Sequence, residues 1–131
     1  MATTTISTFT ALGGKLVTDN DLGGSDQEVS DNVTGATSGR IYVVQIDNTG
    51  NTTSSYLKIR DEASATPSTS TANGAGTPHL MFVAPAGKTI SYVIPDGHAF
   101  TAGVSMWCTT TAVVGNETDP TSNVTVTLIC S

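Results

Sequence analysis

Residues 123–130 read Asn-Val-Thr-Val-Thr-Leu-Ile-Cys. In an extended chain Val124, Val126, Leu128 and Cys130 fall on one side, and Asn123, Thr125 and Thr127 on the other. Alternation with period two is the mark of a strand with one buried face. Residues 55–60, Ser-Tyr-Leu-Lys-Ile-Arg, repeat the pattern. Leu57 and Ile59 point one way, and Tyr56, Lys58 and Arg60 the other.

The rest of the chain follows from these two segments. Arg40 to Asp47 contains an unbroken apolar run, Ile41 to Val44 plus Ile46, as expected of a strand covered on both faces. Asn48-Thr49-Gly50-Asn51 reads as a turn. Leu80 to Val83 is a strand closed by Ala84-Pro85-Ala86-Gly87. Thr89 to Ile94 is closed by Pro95-Asp96-Gly97, and His98 to Ala112 reads as one strand bent at Gly103. Lys15 to Val17 follows a Gly13-Gly14 turn, and a short strand is expected near Glu28 to Val33. No segment sustains a 3.6-residue apolar period. The pattern predicts an all-β fold: an antiparallel β-sandwich, jelly-roll-like, of about seven to eight strands with negligible helix. The predicted core is Ile41, Val43, Leu57, Ile59, Leu80, Phe82, Ile90, Tyr92, Phe100, Trp107, Val124, Val126 and Leu128.

The chain has 131 residues, which fits a single domain, 1–131. Residues 1–14 read as an extended N-terminal arm or first strand. Residues 61–78, Asp-Glu-Ala-Ser-Ala-Thr-Pro-Ser-Thr-Ser-Thr-Ala-Asn-Gly-Ala-Gly-Thr-Pro, are too poor in apolar side chains to order themselves and read as a mobile loop. Charged residues make up only 12% and hydrophobic residues 37%; 24 Thr, 13 Ser and 13 Gly fill the difference. Net charge is −6 with five Lys and Arg, which excludes a surface able to neutralise many phosphates, so no nucleic-acid partner is expected. No apolar run approaches the roughly 18 residues of a membrane helix, so no membrane partner is expected either. The start, Met-Ala-Thr-Thr-Thr-Ile-Ser-Thr-Phe, has neither the basic residues nor the apolar stretch of a signal peptide.

Catalytic chemistry finds little to work with. His79 and His98 each stand at the head of a predicted strand. Asp96 lies two residues before His98, so the two could share a side, but a polar strand-end histidine is the commoner arrangement. Ser105 lies outside any Gly-x-Ser-x-Gly elbow, and the Gly-Gly pairs lack phosphate-cradling spacing. No enzyme activity and no cofactor are expected. Cys108 and Cys130 sit in apolar stretches without metal spacing; they read as buried thiols, with a bridge between neighbouring strands as the alternative. Asp19, Asp21, Asp26, Glu28 and Asp31 crowd one segment. Asp19, Asp21 and Asp26 form a weak calcium candidate, because Asp-Asn-Asp begins like a calcium loop while Gly23 breaks the pattern. The competing reading is a solvated acidic loop or a partner-facing patch. Asn-x-Ser/Thr triplets begin at Asn32, Asn51, Asn116 and Asn123.

Four stretches resemble a small β-rich domain of tailed-bacteriophage virion proteins: Tyr56 to Asp61 (YLKIRD), Thr77 to Gly87 (TPHLMFVAPAG), Ile94 to Met106 (IPDGHAFTAGVSM) and Val124 to Cys130 (VTVTLIC). They span about the last 60% of the chain, the size of a typical domain core. Trp107 and Cys108 stand where small or aliphatic residues are usual in that group, and the acidic N-terminal third departs from it. The resemblance implies a structural virion protein, most like a capsid decoration (cement) protein on the outer capsid surface, made in the cytoplasm of the host bacterium. It implies the major capsid protein as partner and self-association as a homo-oligomer, by analogy a trimer. Residues Thr3, Thr4, Thr5, Ile6 and Phe9 would then form the partner-binding arm. The alternative within the same group is a carbohydrate- or receptor-binding module of a fibre or tail accessory.

Overall fold

A computed structural model of the chain describes residues 4–8, 14–23, 29–65, 77–114 and 118–131. Among these, every regular element is a strand: β1 (Thr4–Thr8), β2 (Lys15–Leu22), β3 (Gly39–Asp47), β4 (Ser55–Asp61), β5 (Leu80–Ala84), β6 (Thr89–Phe100), β7 (Val104–Thr109) and β8 (Val124–Cys130). They form two antiparallel sheets, a five-stranded sheet in the order β1-β2-β8-β3-β6 and a three-stranded sheet in the order β5-β4-β7. A further antiparallel bridge joins Ser30 to Met106, so the segment before β3 lies along the outer side of β7.

Both sheets turn an apolar face into one core. β8 supplies Val124, Val126, Leu128 and Cys130, the alternating set expected of it, and β4 supplies Leu57 and Ile59. β3 is where alternation alone could not decide. A register shift lies between Ile41 and Val43. The extra residue turns the strand over, so that Ile41, Val44 and Ile46 are buried and Val43 is not. Val17, Leu22, Val33, Ala84, Val104, Met106 and Cys108 join the core, while Leu80, Phe82, Ile90, Tyr92 and Ile94 pack against it half-buried.

Other boundaries shift for local reasons. The segment expected to run from His98 to Ala112 is divided by a turn at Thr101–Gly103: the chain leaves the five-stranded sheet at Phe100 and enters the other at Val104. β2 continues through Asp19 and Asp21, which were expected in a loop. Within the expected mobile loop, Asp61 ends β4 and 66–76 lie outside the described residues.

Side-chain contacts on both flanks and a buried cluster at one end tie the sheets together. On one flank the Ser30 hydroxyl donates to the buried Asp19 carboxylate. On the opposite flank the Tyr92 hydroxyl donates to the Val83 carbonyl, and the Phe82 and Tyr92 rings meet with centroids 5.0 Å apart. At one end Asn48 is fully buried. Its amide donates to the carbonyls of Thr53, Ala84 and Pro85, and its oxygen accepts from Asn51 and Ser55. Asn51 continues the network to the backbone of Ser122. Such a cluster is stabilising only when its members are satisfied, as these are.

Candidate functional site

The segment read as a partner-binding arm is, over Thr4–Thr8, a strand of this chain's own sheet. It pairs antiparallel with β2 from Thr4 opposite Asp19 to Thr8 opposite Lys15. Among the described residues its other side is the sheet's outer edge. Thr4, Thr5, Ile6 and Ser7 are exposed, Ile6 at 44%. Thr3 and Phe9 lie outside the described residues. A β-rich, uncharged edge is a template for another strand unless something blunts it. The Thr4 hydroxyl donates to Asp19 at 3.3 Å, which ties the edge strand to the sandwich.

The same geometry gives Asp19 and Asp21 of the calcium candidate protein partners. Asp19 points into the sandwich, where it accepts from Ser30, Thr4 and the Asp21 amide. Asp21 accepts from the Asn123 amide at 2.9 Å. Asp26 lies outside the described residues. Among the described residues no three metal-binding side chains gather at one point. Asp31, farther along, accepts from Ser64 and the Ala65 amide and holds the start of the loop after β4.

Asp96 and His98, which could share a side, are not joined by a hydrogen bond or an ion pair. Asp96 and Gly97 have positive φ, 62° and 74°, in a bulge of β6 that folds over Tyr42 and Arg40. A Cβ at Gly97 would lie 2.8 Å from the Tyr42 ring. Arg40 donates to the carbonyls of Asp96 and Gly97 and fixes the bulge. A small cleft instead gathers His98 with His79, Arg60 and Asp61 beside Leu80 and Phe100. Nothing in the sequence spacing marks this grouping, since its members come from both sheets.

Asp61, His79 and Arg60 in that cleft are already committed. Asp61 accepts from the backbone amides of Thr101, Ala102 and Gly103 and from the Thr101 hydroxyl. Burial by itself raises its pKa, but these donors outweigh that and hold the carboxyl below its ordinary value. His79 Nδ1 accepts from the Asp61 amide at 2.8 Å, which in the neutral ring places the proton on Nε2. Arg60 donates to Glu62 and to the Thr77 carbonyl, both at 2.6 Å. The arrangement clamps the β6–β7 turn to the end of β4.

Cys108 and Cys130 are both buried free thiols, and burial pushes both thiols up from their ordinary pKa. A thiol so held is a poor nucleophile. The triplet at Asn51 is closed to modification in the folded chain, because its side chain is buried and bonded to Asn48 and Ser122.

The large apolar side chains left exposed are Ile6 on β1, Val83 on β5, Val93 on β6, and Val113 and Val114 after β7. Edges and a loop tip therefore carry the accessible apolar surface among the described residues. In comparison with known proteins, no family model, no curated protein and no solved structure matches the chain.

Proposed function

We propose that this chain is a structural virion protein of the tailed-bacteriophage type, a capsid decoration protein that binds the outer shell at junctions between major capsid subunits. The observation that carries the reading is the outer edge of β1, an uncharged strand with Ile6 exposed and, among the described residues, no strand paired on its other side. An open edge of this kind binds an extended segment of a neighbour by backbone hydrogen bonds. A small rigid body engaging several neighbours at once gains avidity from modest individual contacts.

The strand order supports a jelly-roll reading of the sandwich. One sheet contains β2-β8-β3-β6, and the other runs from the Ser30 bridge through β7 and β4 to β5. Two interlocked Greek keys produce that order, and the architecture recurs in viral capsid domains and in lectins. Fold-level analogy of this sort raises the expectation of a virion role.

The test is binding of the purified protein to shells that lack it. Ile6→Asp places a charge on the exposed edge without entering the core. Reduced shell occupancy at unchanged melting temperature is the expected result. Full occupancy in this variant refutes attachment through β1, and absence of shell binding by the unaltered chain refutes the decoration role.

A further inference from the structure

The outer edge of β6 carries a second, self-complementary strand. Asn48 N donates to Lys88 O at 2.9 Å, so the Lys88 carbonyl faces β3. Backbone groups alternate sides along a strand. Ile90 and Tyr92 therefore also turn their backbone groups toward β3, and Thr89, Ser91 and Val93 turn theirs outward from the sheet. Among the described residues β6 is the last strand of that sheet, and Val93 is 73% exposed.

The sequence of this edge is nearly palindromic about Tyr92: Ile90-Ser91-Tyr92-Val93-Ile94. An antiparallel partner of the same sequence, centred on Tyr92, places Ile90 opposite Ile94, Tyr92 opposite Tyr92, and Ser91 opposite Val93. Ser91 and Val93 are the residues whose backbone groups point outward, so this register forms the narrow hydrogen-bonded pairs. The side chains of Ile90, Tyr92 and Ile94 are half-buried against the core and would be covered by their counterparts.

Charge selects the same partner and the same orientation. The chain carries a net charge of −6, and all its carboxylates lie outside residues 63–95. The edge segment Thr89–Ile94 is itself uncharged, and the carboxylate beside it on the sheet, Asp47 opposite Thr89, is engaged by Thr49 and Thr89. Lys88 and Asp96 stand at opposite ends of the uncharged segment. Antiparallel pairing brings the Lys88 end of one copy to the Asp96 end of the other, whereas parallel pairing sets like against like. The bulge at Pro95-Asp96-Gly97 stops the ladder, which limits it to Thr89–Ile94.

We infer that two copies of this chain pair edge to edge through β6 about a two-fold axis at Tyr92, joining two five-stranded sheets into one. This interface is distinct from the β1 edge and stands whether or not the chain binds a shell. Its symmetry is two-fold, not the three-fold suggested by analogy. Light scattering and sedimentation of the purified chain are the test, over a concentration series reaching about 0.1 mM, where modest interfaces form. The expected species has twice the 13.4 kDa mass of the chain. Val93→Lys, and separately Ser91→Lys, are expected to give monomers that keep the parental melting temperature. Lys88→Glu is expected to weaken association about tenfold by placing like charges at both ends. A monomer throughout the series, a trimer, or a dimer unmoved by both lysine variants would overturn the inference.

Discussion

Lys58 and Trp107 stand opposite each other on β4 and β7, and both are buried, at 1% and 4% exposure, on the face turned away from the core. The inward pairs of the same two strands are Leu57 with Cys108 and Ile59 with Met106. The outward face is not a solvent face because the chain after β7 returns over it. Lys58 Nζ donates to the Val113 carbonyl at 2.8 Å, and the Thr109 hydroxyl to the Thr111 carbonyl at 2.7 Å. The small sheet is thus packed on both sides, which explains why every residue of β7 is buried.

Trp107 and Phe100 report on the two sides separately. Phe100 belongs to the core between the sheets, and Trp107 is buried on the outward face of β7. Truncation of either to Ala is expected to cost about 3–5 kcal/mol in denaturant unfolding. Unchanged stability in Trp107→Ala would contradict its close packing on the outward face.

Burial holds the Lys58 ammonium below its ordinary pKa of 10.5. The unfolded chain titrates at the ordinary value. Between the two the unfolded state binds more protons, so this residue makes stability rise with pH over that window. Lys58→Met is expected to remove that rise, read as the difference in unfolding midpoint between about pH 8 and pH 10.5 for the two proteins. It should also speed amide exchange around Val113, whose carbonyl loses its donor. Parallel pH profiles for the two proteins would contradict the burial of a titrating amine.

Asp61 has the opposite sign. Its donors lower the folded pKa below the ordinary 3.8. Its contribution is present above that value and is lost as pH falls through the folded value. Asp61→Asn is expected to lower the melting temperature at neutral pH and to converge with the parent near about pH 2. A constant gap down to that pH would show that the amides of Thr101, Ala102 and Gly103 do not favour the charged form.

Asn48→Ala removes three donated and two accepted hydrogen bonds at a fully buried position. Buried groups left without partners cost about 1–3 kcal/mol each, so a loss of about 3 kcal/mol or more is expected. A loss below about 1 kcal/mol would mean that water replaces the amide.

The parts of this structure that were legible in sequence are those written locally. Val124 to Cys130 and Leu57 with Ile59 declare a buried face by alternation, and Pro95-Asp96-Gly97 declares a break. Val43 and Val44 are apolar neighbours, so only the bulge after Ile41 decides which one enters the core. Lys58 reads as solvent-facing because its cover comes from residues 110–114, far along the chain. Asp19 reads as a loop acid because its burial depends on Ser30, whose strand pairing amounts to one bridge. The edges of β1 and β6 were invisible to pattern alone, since an edge is defined by which strand is missing beside it.

The most direct measurement of the central claim is a cryo-electron map of a virion that carries this chain. Density for the β-sandwich is expected on the outer shell at junctions between major capsid subunits, with the β1 edge against a neighbour. Density confined to the tail or to fibres would contradict it and would favour the receptor-binding alternative.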